Sequence, residues 1–304
     1  MSDIPVILGF DMETDIGSWT PFYEGLVNGT PLILDLLRQH QAVSTFFFVG
    51  AAAQAHPEVV RSVQAAGHEI GCHTLYHETI GDQLFPIPGM TPVLPHEVQP
   101  RLALATKLVS EAAGGTPMRS FRAPRLFGST AMITALVELG YIADASLPMY
   151  AFPERLAPYR PSTEDWTKPG DLALWEFPNF ADVAMDSRDP LGRDRDQWPL
   201  FRTASAAALL TRIDTFIAHV RQRGIPPVLT FYFHPWEFWP MPQGPIHFGE
   251  GAVTPDPFIV ANCGGYALEQ LDLLLQGLRA RGANFTTCAA YAESATSTAE
   301  RAVA

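Results

Sequence analysis

Residues 43–73 read VSTFFFVGAAAQAHPEVVRSVQAAGHEIGCH and contain one complete strand-helix-strand unit. The segment begins with β-branched and aromatic residues at 43–49, which are typical of a buried strand. Residues 57–66 follow with three valines on one helical face, and a glycine then ends the helix. Residues 68–73 form a second apolar strand. The stretch therefore predicts two parallel strands joined by a crossover helix.

The same alternation of strand and helix runs through the rest of the chain. The further predicted strands are 5–10, 120–123, 141–145, 174–177, 228–233 and 284–287, and the further predicted helices are 31–40, 97–113, 131–139, 205–223 and 267–281. About seven or eight parallel strands with outer helices favour a closed or nearly closed barrel. We predict an α/β fold, a distorted (β/α)7–8 barrel, in a single domain over residues 1–292, with a loose C-terminal tail at 293–304.

Composition and charge exclude several classes of protein. A net charge of -12 and a pI near 5.1 leave the chain without the clustered Lys and Arg that nucleic acid and anionic lipid surfaces require. No apolar run reaches the roughly 18–20 residues of a membrane span, and the N-terminus has no basic and apolar leader. We therefore expect a soluble, cytoplasmic protein with neither nucleic acid nor membrane as a partner.

Four long segments without periodicity follow predicted strands, at residues 79–96, 146–170, 181–200 and 235–264. In barrels of parallel strands such strand-to-helix loops build the active-site face. The loops carry Phe85, Tyr150, Phe152, Trp166, Trp198, Trp236, Phe238 and Trp239. These aromatic residues either contact a sugar or another flat small molecule, or pack the loops as small satellite cores.

Two pairs of chemically reactive residues follow predicted strands. His73 ends one strand and His77 comes four residues later, so that two imidazoles can converge on one metal ion. Asp11 and Glu13 follow the first strand and point to the same side if the extended conformation continues. Paired carboxylates in this position suit metal ligation together with base catalysis. Taken singly, each pair is equally compatible with ordinary loop residues.

Two further strands end in a polar residue. Arg122 follows a strand in the segment Ser-Phe-Arg-Ala-Pro-Arg (120–125), and His234 does so in Phe-Tyr-Phe-His-Pro-Trp (231–236). On their own these residues are compatible with a structural ion pair and a core histidine. The agreement among four strand ends instead predicts one site at the carboxyl edge of the strands.

From about residue 7 to residue 291 the sequence resembles the polysaccharide deacetylase (NodB-homology, carbohydrate esterase 4) superfamily. The motifs that carry the resemblance are 44–50, 56–58, 67–71, 73–77, 122–124 and 233–234, in the order that the superfamily has them. The more similar branches are the cytoplasmic peptidoglycan-deacetylase-like and cyclic-imidase-like members. The resemblance implies a NodB-type, TIM-barrel-like fold and hydrolysis of carbon-nitrogen bonds other than peptide bonds.

The resemblance also implies a metal site. It assigns Glu13, His73 and His77 as ligands of a divalent metal, zinc first, with cobalt, nickel or manganese as alternatives. The superfamily's first motif has two adjacent aspartates, a base followed by a ligand, whereas a methionine follows Asp11 here. Glu13 is therefore the expected third ligand, with Asp15 as the alternative.

Four catalytic residues follow from the same resemblance. Asp11 is expected to be the base, held ionised and aimed by Arg122, since a guanidinium pairs well with a carboxylate. His234 is expected to be the acid that protonates the departing nitrogen. Asp144, which resembles the superfamily's fourth motif, is expected to raise the pKa of His234.

We expect a metal-dependent N-deacetylase of an amino sugar or carbohydrate precursor, acting on a small-molecule or oligosaccharide N-acyl substrate. The alternative is a small-molecule amidohydrolase of cyclic imides or ureides. A non-catalytic carbohydrate- or metabolite-binding barrel is the alternative of another class. The sequence leaves the oligomeric state open, a homo-oligomer included.

Overall fold

The computed structural model describes residues 3–87 and 89–303. The strands are β1 (Ile4–Met12), β2 (Thr45–Phe48), β3 (Glu69–Cys72), β4 (Ser120–Phe121), β5 (Ala143–Asp144), β6 (Trp175–Glu176), β7 (Leu229–Phe233), β8 (Ile246–Phe248), β9 (Gly251–Val253) and β10 (Ala283–Thr286). The helices are α1 (Asp15–Ser18), α2 (Thr30–Gln39), α3 (Gly50–Ala55), α4 (Pro57–Ala65), α5 (Pro95–Ala112), α6 (Thr130–Glu138), α7 (Leu200–Thr203), α8 (Ala206–Gln222), α9 (Gly265–Ala280) and α10 (Cys288–Val303). A π-helix spans Gly25–Gly29, and 3-10 helices span Pro124–Leu126, Arg193–Arg195 and Pro235–Phe238.

Eight strands form one parallel, curled sheet. Its order is β10-β1-β2-β3-β4-β5-β6, and β7 pairs with β1. The chain beyond β6 reaches β7 through a backbone hydrogen bond of 2.8 Å from Phe180 N to Thr230 O. The sheet therefore curls into a nearly closed barrel with helices in every connection between successive barrel strands except that from β5 to β6, and the expected fold class is confirmed. The hairpin of β8 and β9 lies outside this sheet.

Strand β1 is the central strand of the sheet. It pairs with β10 through Ile4–Ile7, with β2 through Gly9–Met12 and with β7 through Val6–Phe10. Its residues are almost all buried, as expected for a parallel strand that is covered on both faces. The carboxyl end of this well-anchored strand carries Asp11, and Glu13 follows directly.

The core has two parts. A small cluster inside the barrel consists of Ile7, Phe47, Ala143, Ala145, Phe177, Cys288 and Ala292. A much larger cluster lies between the sheet and the helices, and it includes the predicted helical face of Val59, Val60 and Val63. In the described part of the chain, no helix is both long and apolar enough to cross a membrane.

The C-terminal segment differs from its expected form. Residues 293–303 continue helix α10 as far as Val303, so the expectation of a loose tail is wrong there, and residue 304 lies outside the described residues. Polar contacts attach this helix to the barrel: Arg119 forms an ion pair with Glu293, and Trp175 Nε1 donates to Thr296 Oγ1 at 3.0 Å. The segment lacks a strong apolar stripe, which is why the sequence did not indicate its docking.

Candidate active site

Glu13, His73 and His77 lie together at the carboxyl edge of the strands. Each offers one ligand atom, and these three atoms lie within 4.8 Å of one another. Glu13 follows β1, His73 follows β3, and His77 lies in the turn after it. All three side chains are buried, and His77 Nε2 lies 2.5 Å from Glu13 Oε2.

The local backbone turns His77 back towards His73. Thr74 and His77 have left-handed φ angles of 64° and 61°, which non-glycine residues rarely adopt. His73 Nδ1 lies 2.7 Å from the backbone carbonyl oxygen of Arg122. A carbonyl only accepts, so Nδ1 carries the proton and Nε2 keeps a free lone pair for a metal.

The protonation states of this cluster suit a divalent cation. Burial lowers the pKa of His73 to about 4, so its imidazole is neutral at pH 7. Burial alone would raise the pKa of Glu13, but the imidazoles of His77, His234 and His73 bring it well below its usual range. In addition, His77 Nδ1 is buried and has no hydrogen-bond partner among the described residues. Two imidazoles and one carboxylate form a donor set that fits zinc, cobalt, nickel or manganese.

Asp15, the alternative ligand, is placed elsewhere. Its Oδ1 accepts the backbone N–H of Gly25 at 2.8 Å, and its Oδ2 accepts that of Glu24 at 3.0 Å. The carboxylate thus binds the start of the π-helix, and burial raises its pKa to about 6. Asp15 is not part of the group formed by Glu13 and the two histidines, and its expected role as an alternative ligand is wrong.

Arg122 is completely buried, and one terminal nitrogen of its guanidinium forms an ion pair with Asp11. Its Nη1 donates to Asp11 Oδ1 at 2.8 Å. Its Nη2 contacts Asn179 Oδ1 and Phe231 O, both at 3.2 Å, and its Nε donates to Ala145 O at 3.1 Å. Four acceptors fix the guanidinium in one position, so the Asp11 carboxylate has a fixed direction as well.

Gly9 leaves the space that this arginine occupies. A Cβ atom on Gly9 would lie 2.2 Å from Arg122 Nη1, far inside van der Waals contact. The guanidinium carbon also lies 4.4 Å from the centre of the Phe47 ring. The glycine in β1 is therefore required for the close approach of Arg122 to Asp11.

His234 forms a second buried chain of charged groups. Its Nδ1 lies 3.0 Å from Glu237 Oε1, and the other oxygen of Glu237 accepts Arg202 Nε at 2.6 Å. Its Nε2 lies 3.9 Å from Glu13 Oε1. Burial opposes protonation of His234, but the hydrogen bond to Glu237 and the charges of Glu237, Glu13 and Asp11 raise its pKa above the usual value.

Asp144 does not support His234, which corrects the expectation from the sequence. Asp144 Oδ1 accepts Ser146 Oγ at 2.6 Å, and Ser146 Oγ accepts the backbone N–H of Ala123 at 2.8 Å. Asp144 therefore braces the chain next to Arg122, and Glu237 is the carboxylate beside His234. Sequence reasoning missed Glu237 because a 3-10 turn in a segment taken for a loop brings it back over the imidazole.

One cavity of about 610 Å³ contains these groups. Asp11, Glu13, His73, His77 and His234 all line it. The four long loops contribute to its wall, as expected, through Phe85, Ile87, Tyr150, Asp189, Arg193, Asp194, Asp196, Trp198, Pro199, Trp236, Asp256, Phe258 and Ile259. The volume lies in the range typical of small-molecule sites.

The aromatic loop residues divide into two groups. Phe85, Tyr150, Trp198 and Trp236 line the cavity. Phe152, Trp166 and Phe238 pack with the core, and Trp239 lines a separate cavity of about 140 Å³. The first four residues thus lie where a ligand could be contacted, and Phe152, Trp166 and Phe238 pack the loops against the core.

Comparisons with known proteins show sequence similarity to one family in the N-terminal part of the chain. The model of the polysaccharide deacetylase family matches residues 4–143. A chitooligosaccharide deacetylase from Azorhizobium caulinodans is 32% identical over 111 residues, which cover 36% of this chain and 48% of that protein. The chain thus spans about half the length of this curated relative.

Solved structures agree over a longer span. A Mycobacterium smegmatis protein assigned to the polysaccharide deacetylases superposes with a TM-score of 0.64 at 19% identity, covering 97% of this chain and 91% of that one. An allantoinase superposes with a TM-score of 0.58 at 15% identity, covering 95% and 89%. At these identities the superpositions establish the fold. The family model and the curated relative add sequence similarity to polysaccharide deacetylases, the family model over residues 4–143.

Proposed function

We propose that this protein is a metal-dependent hydrolase of carbon-nitrogen bonds other than peptide bonds, and that it removes acetyl from an amino sugar or carbohydrate precursor. The convergence of Glu13, His73 and His77 beside Asp11 and His234 in one cavity carries the proposal. The similarity to a chitooligosaccharide deacetylase supports an N-acetylated amino sugar as the substrate class.

Glu13, His73 and His77 would hold the metal, with zinc as the first candidate. Three protein ligands leave open positions, which is the arrangement of a catalytic metal site rather than a structural one. A divalent ion bound there would polarise the substrate carbonyl and lower the pKa of the attacking water towards about 7. The hydrogen bond that His73 Nδ1–H donates to the carbonyl oxygen of Arg122 keeps His73 Nε2 unprotonated and free to bind the metal.

Asp11 is the proposed general base. Its carboxylate lines the cavity and takes a proton from the water as the oxygen attacks the carbonyl carbon of the substrate. Arg122, at 2.8 Å, stabilises the ionised form of Asp11 and fixes its direction. A positioned base of this kind contributes about 10²- to 10⁴-fold to the rate.

His234 is the proposed general acid. Glu237 accepts a hydrogen bond from Nδ1–H of His234 and stabilises the imidazolium. The proton on Nε2 is then available for the substrate. As the carbon-nitrogen bond breaks, His234 Nε2 gives this proton to the departing nitrogen. The products are a free amine and a carboxylic acid. One proton of the water passes to Asp11, and the other stays on the carboxylic acid, which releases it to solvent at neutral pH. Loss of the proton from Asp11 and uptake of a proton by His234 return the site to its starting state.

A second candidate function is ring opening of a cyclic imide or ureide. The observation in its favour is the aromatic enclosure of the cavity by Phe85, Tyr150, Trp198 and Trp236, which suits a flat, compact substrate. The allantoinase with the same fold gives this candidate a structural parallel. Both candidates use the same metal, base and acid, and they differ in the molecule that contains the amide.

Substrate assays on the metal-loaded protein test the proposal. Acetate release from N-acetylglucosamine oligomers is measured beside ring opening of succinimide and allantoin, with His73→Ala as the control for the metal site. Acetate release that is lost in the control supports the deacetylase. Turnover of the cyclic compounds alone would favour the second candidate. Tight ligand binding without turnover of any amide would favour a non-catalytic binding protein.

A further inference from the structure

Arg125 lines the catalytic cavity from a strained turn. Its φ and ψ are 59° and 13°, and Leu126 follows with a φ of 60°. Left-handed conformation at two successive non-glycine residues costs roughly 1–2 kcal/mol for each, and such strain is concentrated at functional sites. The turn brings the partly buried Arg125 side chain to the cavity that holds Glu13 and His77.

The guanidinium of Arg125 lacks a carboxylate partner in residues 3–87 and 89–303. Its one side-chain hydrogen bond there runs from Nη1 to the backbone oxygen of His77, at 3.3 Å. The two fully buried arginines differ, because Arg122 is paired with Asp11 and Arg202 with Glu237. A partly buried cation without a counter-ion is costly unless a ligand supplies one.

The carboxylates around the cavity are engaged elsewhere. Burial lowers the pKa of Arg125 and the charge of Glu13 raises it, but Glu13 is itself in contact with His77 Nε2. The remaining acids of the cavity accept hydrogen bonds within the protein: Asp189 from Leu191 N and Arg193 N, Asp194 from Ser187 and Arg188 N, Asp196 from Tyr232, and Asp256 from Phe258 N. The donors of Arg125 thus remain for a ligand.

The second arginine of the cavity, Arg193, occupies a different environment. It is exposed, and its guanidinium carbon lies 4.4 Å from the centre of the Phe85 ring. Its charge also acts on nearby Asp196. Arg193 is thus open to water, whereas Arg125 is partly buried and has no ion pair among the described residues.

We propose that Arg125 determines substrate specificity by binding a carboxylate on the substrate, close to the acyl group that is hydrolysed. The inference rests on the proposed function and narrows its substrate class to N-acyl compounds that carry an anionic group, such as acidic amino sugars. A guanidinium binds a carboxylate through paired, charge-assisted hydrogen bonds, which gives both affinity and orientation. In this arrangement the anionic group at Arg125 positions the amide beside Glu13, His73 and His77.

The test compares two sugars that differ by one carboxylate. Binding of N-acetylmuramic acid and N-acetylglucosamine to the zinc-loaded protein is measured by calorimetry for the wild type, R125Q, R125K and the exposed-arginine control R38Q. We expect the wild type to prefer the acidic sugar and R125Q to bind it about 10- to 100-fold more weakly, as for the loss of a charge-assisted pair. Binding of the neutral sugar stays unchanged in R125Q, R125K is intermediate for the acidic sugar, and R38Q matches the wild type for both.

Several outcomes overturn the inference. These are equal affinity of the wild type for the two sugars, absence of binding of the acidic sugar, and equal weakening of both sugars in R125Q. Carboxylate binding to the zinc itself would survive R125Q and would also overturn it. If R125Q does not fold, R125K, which keeps the charge, takes its place: unchanged affinity of R125K for the acidic sugar would overturn the inference. Since the test compares the affinities of two sugars and does not depend on the rate of hydrolysis, failure of hydrolysis would contradict the proposed function alone.

Discussion

His234 Nδ1 lies 3.0 Å from Glu237 Oε1, and this pair raises the pKa of the imidazole above its usual value. A histidine that acts as an acid is active while protonated, so activity declines as the pH rises through its pKa. Glu237→Gln removes the negative charge and lowers that pKa. We expect the alkaline limb of the kcat–pH profile to move to lower pH in this variant.

The same substitution leaves Arg202 buried without its carboxylate. Breaking a buried pair in this way costs about 3–5 kcal/mol of stability, so the profile is measured well below the melting temperature of the variant. A folded Glu237→Gln protein with an unchanged alkaline limb would contradict the role given to His234.

His73 is one of the three proposed metal ligands. We expect His73→Ala to lose most of its bound divalent ion, because one of three ligands is removed. Metal content is measured by mass spectrometry after gel filtration, with His247→Ala as the control, since His247 is exposed on β8. Chelation should lower the melting temperature of the wild type and not that of His73→Ala. Equal metal content in His73→Ala and wild type would rule out the site.

Asp11→Asn tests the proposed base separately from the proposed metal ligands. The amide keeps the size of the side chain and an acceptor for Arg122 but is a far weaker base. We expect kcat to fall by about 10²- to 10⁴-fold with metal content unchanged. Single-turnover kinetics and metal analysis of the same preparation provide the check. A variant that loses its metal along with its activity would instead make Asp11 a ligand.

Gly9→Ala displaces Arg122. Its new Cβ would lie 2.2 Å from Arg122 Nη1, and the surrounding acceptors leave the guanidinium little freedom to move. We expect a loss of about 1–3 kcal/mol in the free energy of unfolding, as for other overpacked cores, together with reduced kcat. Gly244→Ala is the matched control, because no atom lies within 4 Å of its added Cβ. Equal stability of the two variants in urea would show that the close approach is unimportant.

Glu176 and Asp144 lie opposite each other on β6 and β5 and are both completely buried. Burial raises the pKa of Asp144 to about 6, and burial together with the charge of Asp144 raises that of Glu176. Groups with raised pKa values stabilise the fold at low pH, and this stability is lost as the pH rises through the folded-state values.

The side chain introduced by Glu176→Gln cannot ionise, so the free energy of unfolding of this variant should fall less as the pH rises above the ordinary range of carboxyl groups. We expect the variant to be more stable than the wild type at alkaline pH. Urea unfolding at a series of pH values measures this, with the exposed Glu138→Gln as the control. Parallel pH curves for wild type and Glu176→Gln would contradict the expectation.

The sequence predicts the barrel strands and long helices well because each follows a strong period. The run before Asp11 and the valines of α4 are apolar at the positions that the structure buries. The sequence did not predict helix α3, the hairpin of β8 and β9, or the end of α10. Their formation depends on contacts with residues that are distant in the chain. The single domain, the cytoplasmic location and the oligomeric state remain predictions.

At the site, the sequence predicts which residues emerge from strands but not which partner each one meets. His73, His77 and Glu13 do come together, and Arg122 does pair with Asp11. The assignment of Asp144 was wrong because a carboxylate three residues beyond His234 reaches the imidazole through a turn without periodicity. Asn179 and Arg202 were likewise missed, since both act from irregular or short elements.

Arg122 links the two halves of the site through a single residue. Its backbone carbonyl accepts a hydrogen bond from Nδ1–H of His73, and its guanidinium donates a hydrogen bond to Asp11. The spacing between His73, the proposed metal ligand, and Asp11, the proposed base, is therefore set by Arg122 inside the barrel and not by loop residues of the cavity wall such as Phe85 and Trp198. New substrates can be accommodated by rebuilding the cavity wall, while the bond-breaking groups keep their mutual positions.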